Sequence, residues 1–277
     1  MPNLTVMKEN LLTFFYFINK LYQDRSILWT MIKRDLRARF IGSFFGFSWS
    51  VIDPLTQVLI YGVVFGLFFK SQPDPEFGTN SYILYLVCGI LPWQFFAQSV
   101  TASTGSIVSN ANLVKKAVGF PSEILPVIKV MSNLLSHLIG MLILILIIAI
   151  FHGVSFYIPF IFVYMLPTLI FAIGVGWIVA GLNVYLRDVQ QVMPLVLMAG
   201  FFFTPIFYSP SSVPEPILTV LSLNPMFHAV IGYRYALLTG RILPPGSLAY
   251  LLITSFFIFG LGGVFFRKLK PGFAEVL

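Results

Sequence analysis

Charge is scarce in this chain. Asp, Glu, Lys and Arg make up 10% of its 277 residues, against 58% hydrophobic, where an ordinary soluble domain carries about 25% charge. So little polar surface cannot cover the chain in water, which excludes a soluble enzyme and points to a multi-span membrane protein. The same hydrophobicity excludes intrinsic disorder. A single cysteine, Cys88, excludes an intrachain disulfide and any multi-cysteine metal site. No G-x-x-x-x-G-K-[ST] phosphate loop occurs, nor any Gly-Lys pair, so the chain has no signature for hydrolysing ATP itself. H-E-x-x-H is missing too, and no nucleophile motif supports a triad of Asp188 with His137 or His228. No internal repeat is present, which leaves inverted-repeat carriers without support. No catalytic residue, metal site or cofactor is therefore expected in this chain.

What the sequence has is long charge-free runs. Between Lys129 and Arg187 lie 57 residues without a charge, enough for two spans at about 20 residues each. Further gaps run from Asp53 to Lys70, Glu76 to Lys115, Asp188 to Glu215 and Arg241 to Arg267. They predict an all-α integral membrane protein with six helices near 51–70, 82–104, 125–151, 157–183, 190–208 and 247–266. Fourteen of the 17 basic residues fall before the first span, in or flanking the second and fourth loops, or after the last. The positive-inside rule then puts both termini and the 105–123 loop in the cytoplasm. The net charge of +7 is a topology signal and a bias toward anionic lipid; no soluble basic face exists for nucleic acid. The apolar run 11–18 is about 12 Å long as a helix, too short to span, and no small-residue cleavage site follows it.

Leu28, Ile32, Leu36 and Phe40 recur every fourth residue, so 27–41 reads as an amphipathic helix with its apolar side toward acyl chains and Lys33, Arg34 and Arg37 opposite. Asp35 and Arg39 interrupt the pattern, either as a local i,i+4 pair or with Arg39 meeting a phosphate at the membrane entrance. Asp53-Pro54 reads as the capped opening of the first span. The 105–123 loop predicts a short helix over 107–117. Six prolines between 209 and 246 predict two short helices, split at Asn224-Pro225, over the external mouth. His137 is the one ionisable group deep in a span and reads as a helix–helix hydrogen bond; without intramembrane carboxylates, ion coupling is disfavoured. Aromatic residues, 17% of the chain, cluster as Phe44, Phe45, Phe47 and Trp49, as Trp93, Phe95 and Phe96, and as Phe201 to Phe203 with Phe207 and Tyr208. Such faces serve packing and interface belts, and they also stack on sugar C–H faces without fixing one register.

Four stretches, taken in order, carry a resemblance over about residues 25–270: Arg39-Phe40 with Gly46, Trp49 and Pro54; Gly89-Ile90-Leu91-Pro92-Trp93 with Phe95-Phe96; Asn183-Val184-Tyr185-Leu186-Arg187-Asp188; and Thr204-Pro205-Ile206-Phe207-Tyr208 with Leu223-Asn224-Pro225 and Tyr233-Arg234. The chain resembles the membrane subunit of bacterial ABC exporters of polysaccharides, the O-antigen, capsule and teichoic-acid family. Asp53 departs from the family, where an apolar or aromatic residue is more usual. The resemblance implies a homodimer in the cytoplasmic membrane with two separate ATPase subunits, which carry the ATP and Mg. It implies a lipid-linked polysaccharide substrate, typically on undecaprenyl pyrophosphate. Domains follow as a cytoplasmic N-terminus over 1–50, a transmembrane domain over 51–266 and a cytoplasmic tail over 267–277. Arg34, Arg37 and Arg39 are the expected entrance cations, since Arg forks match phosphate oxygens. Phe44, Phe47, Trp49, Trp93, Phe95, Phe96, Phe207 and Tyr208 are the channel candidates. Asn112, Lys115 and Lys116 would couple to the ATPase, and Pro225, Tyr233 and Arg234 would form the external gate. The rivals are teichoic-acid or capsule export, a membrane-bound glycan-modifying enzyme, and an ion-driven flippase.

Overall fold

The computed structural model describes residue 19 and residues 22–40, 42–68, 71–79, 81–116, 120–152 and 156–277. Its regular elements are all helical: α1 (Arg25–Phe40), α2 (Trp49–Tyr61, continued by a π-helical turn Gly62–Phe68), α3 (Tyr82–Thr104), α4 (Ala111–Lys116), α5 (Ile124–His152), α6 (Ile161–Tyr185), α7 (Val189–Phe202), α8 (Glu215–Leu221), α9 (Pro225–Arg234, continued by a π-helical turn Tyr235–Thr239), α10 (Pro245–Leu269) and α11 (Phe273–Val276).

The central post is α3. It packs against α2, α5, α6, α7 and α9, and most of its apolar length is buried, against about a third for α5 and less for α10. It also has the lowest mean hydropathy of the four long helices, 1.5 against 2.5 for α5. The two facts belong together, since Gln94, Ser103 and Thr104 are buried against protein and bond to Gln57, Pro126 O and Val100 O, instead of facing lipid. The outer helix α5 instead leaves Leu142, Leu146 and Ile150 exposed.

The closest helix pair is α6 with α10. A Cβ built on Gly262 would stand 2.2 Å from the Gly174 carbonyl oxygen, and one on Gly174 would stand 2.6 Å from that of Ile258. Small residues let two backbones approach where there is no hydrophobic drive between apolar helices. Gly262→Ala is therefore expected to cost about 1–3 kcal/mol by overpacking, read as a lower melting temperature in detergent. Gly260→Ala is the control, with open space around its added methyl, and should be neutral; equal melting of both variants would refute the close packing.

Four helices are long and apolar enough to cross a membrane, or five if the α8–α9 pair counts as one broken span. The second, third, fourth and sixth expected spans match α3, α5, α6 and α10 within a few residues. The first and fifth do not reach that length. Leu55–Phe68 and Val189–Phe202 are shorter apolar helices, and α7 stops well before residue 208 because Pro205 disfavours helical backbone at the residue before it. The first span also begins earlier than read. Its helix starts at Trp49, so Asp53-Pro54 lies inside the helix and does not open it. Beyond Asn224, α9 turns 98° away from α8, as the Asn-Pro break required.

Two further expectations are corrected in α1. Its apolar stripe is covered by α5 and not left to acyl chains: Ile32 is buried, and Leu28 and Leu36 pack on the same core. Arg34 and Arg37 point outward, as read. Nor do Asp35 and Arg39 pair with each other. Asp35 accepts from Lys129, and Arg39 donates to Asn133 Oδ1 at 2.8 Å, because α5 offers fixed partners that outcompete a weak local pair.

Candidate functional site

Two neighbouring cavities lie beside α3. The larger, about 480 Å³, lies between α2, α3 and α7, with Arg39 of α1 at its rim. Its polar lining is Gln57, Gln94, Gln98 and Thr101, and its apolar lining includes Tyr61, Trp93, Leu197 and Phe201. Gln94 donates to Gln57 Oε1 at 2.7 Å, so a cross-helix amide pair sits within two apolar runs. Helical spacing builds the stripe: Gln94, Gln98 and Thr101 are four and three residues apart and share one face of α3. The smaller cavity, about 290 Å³, is lined by Asp35, Ala38, Arg39, Ala102, Lys129 and Asn133. Arg39 and Ala102 line both.

At the other end an aromatic cluster closes on the larger cavity. Tyr61, Phe65, Phe201, Phe202 and Phe207 are in mutual ring contact, with Phe65 and Phe207 stacked at 4.9 Å. Trp93 joins it through Phe201. The segment after α7 is held against α3 by side chains that reach for its carbonyls. Tyr82 and Tyr85 donate to Phe207 O and Tyr208 O, each at 2.8 Å. Arg234, fully buried, donates to Pro205 O, Ile206 O and Tyr85 O and lies 3.5 Å from the Tyr85 ring centroid. The 71–79 loop folds onto the same end. Asp74 accepts from Ser209 and from the Glu76 amide, Glu76 accepts from Tyr235, and Phe77 is buried against Tyr85 and Tyr235. Burial raises the pKa of Asp74 and hydrogen bonds from Ser209, the Glu76 amide and Ser211 lower it, with a net shift downward.

The residues singled out in the sequence separate into groups. Arg39 and Trp93 line the larger cavity; Arg34 and Arg37 are exposed elsewhere on α1. Phe95 stacks on His137 and Phe96 on Phe171, so both face the protein core. Phe44 is 96% exposed, Trp49 is partly exposed with its indole on Ser43, and the Phe47 side chain lies outside the described residues. Phe207 belongs to the aromatic cluster and Tyr208 touches it. Pro225 opens α9 behind Asn224, which accepts from the Met226 amide and donates to Thr204. Tyr233 and Arg234 are struts and not gate surface: both are fully buried, Tyr233 on His137 at 3.0 Å. That contact is the helix–helix hydrogen bond read for His137.

Beyond the other end of α3, Asn112 and Lys115 are exposed on α4, while the Lys116 side chain lies outside the described residues. The tail folds onto the same element: α11 packs on α4 and α6, Phe273 is buried, and Lys270 donates to Glu123 at 2.6 Å. The sequence reading missed Gln57, Gln94, Gln98, Lys129 and Asn133. A lone Gln in an apolar run has no motif, and its cost in a membrane is the signal that was there to use.

The geometry agrees with what the chain is similar to. A family model described as ABC-2 type transporter matches residues 27–238. An O-antigen export system permease protein of Klebsiella pneumoniae is 32% identical over 91% of this chain and 95% of its own length. One of Myxococcus xanthus is 29% identical over 93% and 98%. A polysialic acid transport protein of Escherichia coli is 25% identical over 84% and 90%.

Proposed function

This chain belongs to the ABC-2 type transporter family of membrane proteins, and from that premise we propose that it is the permease subunit of an ATP-driven exporter of lipid-linked polysaccharide. ATP hydrolysis belongs to a separate partner chain. O-antigen on undecaprenyl pyrophosphate is the favoured substrate, because the O-antigen permeases are more similar than the polysialic acid transport protein. One observation carries the reading: a polar stripe of Gln57, Gln94, Gln98 and Thr101 lines an open cavity between apolar helices. Lipid would make that stripe costly, whereas a hydrated glycan satisfies amides and hydroxyls as it slides past them. Trp93, Tyr61 and Phe201 beside it offer faces for sugar C–H groups.

One copy supplies an open flank, so the path is completed by a second copy facing α2 and α7. Each copy then contributes six spans, with α2 and α7 shielded by the partner and α8–α9 re-entrant at the external mouth. Arg39 receives the lipid phosphate at the cytoplasmic end. There α4, with Asn112, Lys115 and Lys116, and the packed tail meet the ATPase. Both termini are cytoplasmic, in the inner membrane.

The test is affinity purification of the tagged chain from its native membrane. A stoichiometric ATPase bearing a phosphate loop is expected to copurify. A chain that emerges alone, under conditions that keep other transporter complexes together, would overturn the exporter and favour an enzyme or an ion-driven carrier.

A further inference from the structure

We propose that the 290 Å³ cavity is a selectivity site for a pyrophosphate group, in which Asp35 is a built-in competitor that keeps singly charged phosphodiesters from the second cation. The exporter reading says where such a ligand comes from; what the site binds follows from its own side chains.

Arg39 and Lys129 bring two cations to one cavity and Asp35 brings one anion, a formal charge of +1. The two cations are not equivalent. Arg39 is steadied by a neutral partner, the buried amide of Asn133 at 2.8 Å. A guanidinium carries five donors; Asn133 takes one, and the same side chain lines both cavities. Lys129 instead holds the Asp35 carboxylate. An incoming oxyanion therefore meets Arg39 directly, but reaches Lys129 only by displacing Asp35.

That order discriminates by charge. A phosphodiester headgroup carries one negative charge. It can sit at Arg39, or replace Asp35 like for like, with no net Coulomb gain. A pyrophosphate joining two groups carries a charge on each phosphorus. One phosphate sits on Arg39 while the other takes Lys129, so the doubly charged ligand outbids the carboxylate. Space is not limiting: at ~30 Å³ per water the cavity holds roughly ten waters, and Ala38 and Ala102 put no bulk into it. Access is open as well, since the Lys129 and Asp35 side chains are 28% and 21% exposed. Bulk anionic lipid surrounds a cytoplasmic entrance in large excess, so a site with two bare cations would be occupied by it.

The experiment uses the full chain in phosphatidylcholine nanodiscs, with and without phosphatidylglycerol, titrated with inorganic pyrophosphate and separately with farnesyl pyrophosphate. Wild type is expected to bind pyrophosphate with little change on adding phosphatidylglycerol. Tighter binding of farnesyl than of inorganic pyrophosphate assigns the ligand to a lipid; equal binding assigns it to the free anion, and both uphold the site. Asp35→Asn should bind pyrophosphate more tightly in neutral discs and then weaken about tenfold, one decade of Kd, when phosphatidylglycerol is present. Lys129→Gln should weaken binding about tenfold in neutral discs, while Lys129→Arg retains binding and discrimination. A mere strut between α1 and α5 would move melting temperatures and leave these ratios alone. Unchanged competition in Asp35→Asn, or wild-type binding by Lys129→Gln, overturns the proposal. If Asp35→Asn does not stay folded, the two Lys129 variants decide alone. Pyrophosphate binding to a chain that recruits no ATPase would leave the site standing and sink the exporter; export by a chain that binds no pyrophosphate would do the reverse.

Discussion

Arg234→Met is expected to destabilise the solubilised chain by roughly 3–5 kcal/mol and to abolish export. The guanidinium is fully buried and donates to Tyr85 O, Pro205 O and Ile206 O. Methionine fills much of the volume but donates nothing, and a buried acceptor stripped of its donor costs about 1–3 kcal/mol. Pro205 O and Ile206 O suffer most, because their segment follows the end of α7 and no helix offers them a donor. Lysine keeps the charge but not the planar fork, so Arg234→Lys should recover less than half of the loss. An independent perturbation reaches the same contact: a Cβ on Gly89 would stand 2.8 Å from Arg234 Nη2. Gly89→Ala should cost about 1–3 kcal/mol and add little to Arg234→Met, since both act through one contact. Melting temperatures and an export assay on the three variants test this. Unchanged melting in Arg234→Met would remove the strut.

Arg234 also shows what the sequence hides. A basic residue near a proline-rich stretch counts as external charge, and only the fold reveals that it faces carbonyls and aromatic rings. Features set by local periodicity were legible. The span near 82–104 is α3 (Tyr82–Thr104), and Asn224-Pro225 breaks the chain where its backbone chemistry demands. His137, a lone polar ring in an apolar run, was read correctly because burial forces it to find a partner. The failures in α1 share one cause, competition from residues distant in sequence. Asp35 and Arg39 have ideal local spacing, yet each takes a partner 94 residues away. The apolar stripe of α1 suits acyl chains, yet α5 covers it. Of Trp93, Phe95 and Phe96, the cavity receives only Trp93, since composition places aromatics near one another without saying which way each points.

Gln57→Leu combined with Gln94→Leu should leave the protein folded and cut export at least tenfold. The pair spans α2 and α3 by one hydrogen bond of 2.7 Å. Removing one partner strands a polar group, but replacing both with apolar side chains of similar size is close to neutral, and hydrogen bonds within membranes are worth about 0.6 kcal/mol on average. Stability and transport therefore separate at this site. Two leucines convert one end of the polar stripe into hydrocarbon, so a hydrated glycan loses partners it cannot replace. A tenfold loss corresponds to a barrier higher by only about 1.4 kcal/mol, within the cost of about 1–3 kcal/mol for one stranded polar group. Thr30→Leu is the control: it is exposed on α1 and bonds to its own helix at Ser26 O, and should export normally. Phe95→Leu, on the core face of α3, should lower melting more than export. Full export by the double leucine variant, at wild-type abundance in the membrane, would mean that the glycan does not pass along α2 and α3. The polar stripe would then belong to the contact between the two copies.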